Sequence, residues 1–237
     1  HIDNDGLRGE WAYSNFLVSG LTSTWLGDDR YEFRLSDGNG TTDGLYPECA
    51  DTYIDSGSPT NNYDDETELQ ISYNTWPSET SVLFNCNLVA NLLPNGYAVE
   101  SAHLAVKLAD YPSGSPNVAV WENRQHNWTA GGATWTTSDG VNNWASAGAK
   151  GWERGSLIDS LTVGNSYSAG DTIEWNVTLG VQNAMREDRA ADFIIGVTGV
   201  GTGVSRDILI HPGSTTTASN RPQLSFVYVP GSDAVPT

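Results

Sequence analysis

The chain reads as an all-β protein, a jelly-roll β-sandwich, and three features of its 237 residues carry that reading. Helical periodicity is almost absent. About ten short runs rich in β-branched and aromatic residues are separated by clusters of Gly, Asn, Asp, Ser and Pro. Several runs alternate, as in Val82/Phe84/Cys86/Leu88 and Leu104/Val106/Leu108, which predicts sheets with one packed face and one wet face. Short strands linked by turns stack as two sheets, and the strand–helix alternation of a parallel α/β fold is missing.

Residues 1–48 come first and differ in character from the rest of the chain. Turn chemistry is dense in Asp28-Asp29, Ser36-Asp37-Gly38-Asn39-Gly40 and Thr41-Thr42-Asp43-Gly44. Yet Trp11, Tyr13, Phe16, Leu17, Trp25, Tyr31 and Phe33 are too many large apolar groups for a disordered tail. A unit this short, with no metal or staple of its own, does not fold alone. It is expected to be an ordered N-terminal extension that adds strands, Tyr31–Leu35 among them, or docks on a neighbour. The main domain is expected over 49–230. Its strands are predicted at Thr52–Ile54, Leu69–Tyr73, Ser81–Leu88, Ala102–Leu108, Asn117–Trp121, Thr172–Val177, Phe193–Thr198, Ile208–His211 and Leu224–Val229. Val181–Ala191 is the one stretch that suits a short helix, of about two turns. Asp139–Gly155, rich in Gly and Ser, reads as a loop, and residues 231–237 read as a tail.

Charge narrows the partners. Acids outnumber bases 29 to 11, for a formal net charge of −18, and only two of the bases are lysines. Phosphate backbones and anionic membranes are repelled by such a surface, so no nucleic acid partner is expected. No apolar run approaches the ~20 residues that span a bilayer, so no membrane insertion is expected either. Catalytic signatures are absent: there is no Gly-x-Ser-x-Gly, and pairs among 29 acids carry no information by themselves. No catalytic residue is assigned.

Nine tryptophans form the chemical signal that remains. Aromatic faces stack on the C–H faces of sugars while neighbouring amides and guanidinium groups bond the hydroxyls. Trp121, Trp128, Trp135, Trp144 and Trp152 lie within 32 residues. Of these, Trp144 and Trp152 sit in the Gly/Ser-rich loop and are the expected exposed aromatics, with Asn142, Asn143 and Arg154 beside them as the ligand-binding set. Trp76, in a turn, is similar. Asp64, Asp65 and Glu66 are an acidic turn with oxygen ligands for Ca²⁺, although acidic turns are commonly just solvated. Cys49 and Cys86 are either one bridge, closing about 38 residues, or two buried thiols.

Five segments also form an ordered pattern. They are Ala50-Asp51-Thr52-Tyr53-Ile54-Asp55 with Ser58-Pro59-Thr60-Asn61-Asn62-Tyr63, then Ser101–Leu108, then Asn127-Trp128-Thr129-Ala130-Gly131-Gly132-Ala133-Thr134-Trp135, and last Arg221–Pro230. Together they resemble the DNRLRE domain family over about residues 50–230. That family comprises extracellular β-sandwich modules appended to secreted, surface-displayed and some viral proteins. The resemblance implies a non-catalytic module for adhesion or structure, carbohydrate-binding-module-like and extracellular, on a cell surface or a virion surface. It implies that Trp128 and Trp135 are packed anchors, and it favours the Cys49–Cys86 bridge. A structural Ca²⁺ is an option that it raises, though no cofactor is required. Relatives that bind alginate would need basic residues, so a charge of −18 fits a neutral glycan better. A virion or filament structural subunit, contacting its own copies or neighbouring subunits, is the alternative, and a polysaccharide-active enzyme the second.

Overall fold

The structure, a computed structural model, describes residues 22–28, 30–36, 49–73, 78–86, 97–110, 114–164, 166–198 and 207–231. Twelve strands appear among them: β1 (Thr22–Gly27), β2 (Arg30–Ser36), β3 (Cys49–Asp55), β4 (Leu69–Ser72), β5 (Thr80–Cys86), β6 (Tyr97–Lys107), β7 (Asn117–Asn123), β8 (Arg154–Thr162), β9 (Thr172–Asn176), β10 (Ala191–Thr198), β11 (Asp207–Ile210) and β12 (Gln223–Pro230). One helix, α1 (Thr178–Arg186), follows β9. Two antiparallel sheets result. One has the order β1-β2-β12-β6-β9; the other runs β11-β4-β5-β10-β7-β8, with β3 paired to β5. The chain passes repeatedly from one sheet to the other, as a jelly-roll sandwich requires.

Alternation explains the core. Tyr31, Phe33 and Leu35 of β2, Leu224 and Phe226 of β12, and Leu104 and Val106 of β6 turn inward from the five-stranded sheet. Val82, Phe84 and Cys86 of β5, Phe193 and Ile195 of β10, and Val118 and Val120 of β7 turn inward from the other. Tyr31 and Phe33 stack on Tyr228 with ring centroids 5.2 Å apart in each case. The described part of the expected extension is therefore built into the sandwich: β2 lies between β1 and β12 in the sheet and Phe33 is fully buried. Trp11 and Trp76 lie outside the described residues.

Three local differences from the sequence reading have physical causes. Helix α1 starts before Val181, because the Asn176 side-chain oxygen accepts from the Thr178 N–H at 3.1 Å and its hydroxyl at 2.7 Å and opens the first turn. Strand β8 is absent from the sequence reading; register shifts at Val120/Trp121 and Trp121/Asn123 break its pairing with β7, and Leu157 stands exposed, so no alternation shows in the sequence. Strand β1 is likewise additional, an edge strand bearing an exposed Trp25.

Cys49 and Cys86 form a disulfide. They are directly opposed in the β3–β5 ladder, so the bridge fastens the first residue of β3 to the last of β5.

Candidate functional site

The two outer sheet faces have different fates. Alternation predicts a wet outer face on β5, but Leu83 there is fully buried, as are Ile54 of β3 and Ile194 of β10. What covers them is the long connection from β7 to β8. Trp128, Ala133, Trp135, Trp144 and Ala149 of that connection close over Leu83, Ile54 and Ile194 as a second apolar cluster. The Ser58–Tyr63 turn clasps it from below: Asn62 Nδ2 donates to the Ala130 and Ala133 carbonyls at 2.5 and 2.8 Å, and the Pro59 carbonyl accepts from the Thr136 hydroxyl at 3.1 Å. Gly148 makes the fit possible. Its φ is +78°, and a Cβ there would sit 2.6 Å from the Trp135 ring.

A buried carboxylate anchors this cover to the sheet. Asp192, on the outer face of β10, accepts from Trp128 Nε1 at 2.7 Å and Asn85 Nδ2 at 2.9 Å, and lies 3.1 Å from His126 Nδ1. Burial pushes the Asp192 carboxyl above its ordinary value, and the hydrogen bonds from His126 and Trp128 pull the other way. Beside it, Arg189 joins Glu187 and Glu122.

The expected ligand-binding set is divided by this arrangement. Trp144 is only 5% exposed, and its Nε1 donates to the Thr134 carbonyl at 2.8 Å. It is a core residue of the cover, not an exposed platform: the glycine-containing stretch 139–155 folds back on the sheet and takes the ring inside. Arg154 stacks 4.7 Å over the Trp121 ring and donates to the Gly148 carbonyl at 3.3 Å. Its burial pushes the guanidinium below its ordinary value, which nearby Glu79 opposes. Asn142 and Asn143 are exposed, but the Asn142 amide is engaged with Asp139 at 2.7 Å. Those bonds, backbone first and side chain second, hold the Asp139 carboxyl below the usual range. Trp152, 58% exposed, is the member of the set whose ring faces water. Trp128 and Trp135 pack as expected.

Asp64, Asp65 and Glu66 are consecutive along the turn after Tyr63. Among the described residues no group of three or more His, Cys, Asp or Glu side chains is gathered as a metal would need.

Among the described residues nothing covers the outer face of the five-stranded sheet, and sequence reading missed it. Cross-strand register lines up Arg34, Ser225, His103 and Asn176 in one rank, and Ser36, Gln223, Ala105 and Glu174 in the next. Lys107 and Thr172 come after them, opposite one another. All point away from the core, opposite Phe226, Leu224, Leu104 and Trp175. Among the described residues, the side chains of His103, Lys107, Glu174 and Gln223 make no hydrogen bond within the protein. A cleft of about 120 Å³ sits here, walled by the helical turn Ala218–Asn220 and Arg221 and floored by Ala105, Lys107, Thr172 and Gln223. The wall is braced, since Arg221 Nε donates to the Thr215 carbonyl at 2.9 Å.

An open polar sheet face and a cleft of this kind lie side by side on the five-stranded sheet. In comparison with protein families, the model of carbohydrate-binding module family 96 matches residues 45–228. The chain belongs to that family. No curated protein matches the chain. The extent and the carbohydrate-binding class agree with those implied by the sequence motifs, and the family shown is module family 96, not one bearing the DNRLRE name. Family 96 membership starts at residue 45, so β1 and β2 lie outside the matched segment even though β2 completes its core. Among the described residues no helix is long and apolar enough to cross a membrane.

Proposed function

We propose that this family 96 module is a non-catalytic, extracellular carbohydrate-binding unit that takes a neutral glycan on the open face of the five-stranded sheet. The observation that carries the reading is the asymmetry of the sandwich. One outer face is sealed by the tryptophan-rich connection, and the other presents His103, Lys107, Glu174 and Gln223 side by side, polar side chains that make no hydrogen bond among the described residues. Cations there stand beside anions: Arg34 pairs with Glu32 at 3.0 Å, and Glu174 lies next to the Lys107 row. Both signs suit sugar hydroxyls, which donate and accept, better than a uniformly charged polymer.

A glycan array followed by calorimetry on the hits tests this. Gln223→Ala and Lys107→Ala should each weaken binding by roughly tenfold, with the folded state intact. Binding that is unchanged in both variants and lost in Trp152→Ala would move the site to the loop, where the exposed Trp152 ring supports that second reading. The structural-subunit alternative draws on exposed Trp25 and Leu26 of edge strand β1. Light scattering decides it: a monomer argues for the module, an obligate oligomer for the subunit.

A further inference from the structure

We infer that the cleft is one part of a groove that holds an internal stretch of an extended polysaccharide chain, running across the strands along the rank Ser36–Gln223–Ala105–Glu174. The inference rests on the carbohydrate-binding reading and adds the line, direction and length of the contact.

Three observations fix the path. First, the wall at Ala218–Arg221 stands beyond the start of β12, alongside this rank and not across it. A ligand running parallel to the strands would meet the wall, whereas one lying along the rank runs beside it. Second, Ala105 is the smallest side chain of the rank and sits between Gln223 and Glu174. It makes a trough whose floor is low and whose flanks carry an amide and a carboxylate. Third, the rank crosses four strands, β2, β12, β6 and β9. At about 4.8 Å between strands it is about 14 Å long, and each interval is close to one pyranose unit of an extended chain. The groove therefore offers about three sugar positions, each beside a new strand.

Neither end of the trough is blocked by the wall. At one end the Ser36 position is exposed, and at the other Glu174 is exposed on edge strand β9. Among the described residues nothing stops a chain at either end, so internal segments are accepted and a free terminus is not required. The wall's Arg221 and Ser219 and the adjacent Lys107 lie on one long side of the chain, with Arg34, Ser225 and His103 of the neighbouring rank on the other.

The test uses the whole chain, calorimetry, and series of cello-, manno- and xylo-oligosaccharides from the disaccharide to the hexasaccharide. In the series that binds, affinity should climb to about the trisaccharide and then level off. Ala105→Tyr fills the trough from an outward-facing position and should weaken binding by roughly tenfold or more, with an unchanged melting temperature and circular dichroism spectrum. Glu174→Gln, which keeps the side chain's size, should cost less than Ala105→Tyr. Equal affinity of Ala105→Tyr and the parent chain, in a series that the parent binds, overturns the groove and leaves the carbohydrate-binding module standing. Affinity that peaks at the disaccharide overturns the extended path in the same way. Failure of the parent chain to bind any of the three series overturns the neutral-glycan reading and the groove with it.

Discussion

Trp144→Ala separates a core tryptophan from a binding one. The ring is 5% exposed, packed in the cluster with Ile54, Leu83 and Ile194, and its N–H is spent on the Thr134 carbonyl at 2.8 Å. Truncating a buried aromatic of this kind costs about 3–5 kcal/mol, and the orphaned carbonyl belongs to that same loss. We expect about 4 kcal/mol less stability in urea unfolding, with the midpoint shifted and the slope retained. Trp144→Phe keeps most of the packing and should lose about 1–2 kcal/mol, chiefly the N–H bond and the missing ring atoms. Trp152→Ala, made alongside, removes a ring 58% exposed and should stay within about 0.5 kcal/mol of the parent. If Trp144→Ala were as stable as Trp152→Ala, the sealed outer face would not exist, and the opposite face would lose its standing as the open one.

Further outcomes rest on the same geometry. Asp192 holds its proton more tightly folded than unfolded, because of burial; its contribution is full below the ordinary aspartate range and is lost as pH rises through the raised value. Parent stability minus that of Asp192→Asn should therefore fall with rising pH in urea titrations, and a difference that climbs with pH contradicts the assignment. Under denaturing, non-reducing conditions a thiol-alkylating reagent should add no label by intact mass, and reduction should cost about 4 kcal/mol for a 37-residue separation. Uptake of two labels without reduction means no bridge. Gly148→Ala, which combines a left-handed backbone with a contact of 2.6 Å to Trp135, should destabilise by about 1–3 kcal/mol; a neutral effect would show that the cover is loosely seated.

The inner faces of the strands are legible because alternation is a local signal. Val82/Phe84/Cys86 and Leu104/Val106 announce a packed side whatever lies across from it. The cover is easily misread because small and turn-forming residues (Gly, Ala, Asn, Ser) make up most of Asp139–Gly155, a composition shared by solvated loops and by segments that fold back tightly. A sequence signal does exist. Val82-Leu83-Phe84 and Phe193-Ile194-Ile195 are unbroken apolar runs, and a strand with one wet face has no need of Leu83 or Ile194. The open face carries no such local mark. Ser36, Gln223, Ala105 and Glu174 are scattered over nearly the whole chain, and only the register of four strands makes them neighbours.

Which face binds is settled most directly by amide chemical-shift mapping during titration with a neutral oligosaccharide chosen from the calorimetric hits. Perturbations should centre on Arg34, His103, Ala105, Lys107, Glu174, Ser219 and Gln223, across β2, β12, β6 and β9, and leave residues 128–152 unmoved. Shifts confined to 139–154, around Trp152 and Asn143, with the five-stranded sheet silent, would contradict the account.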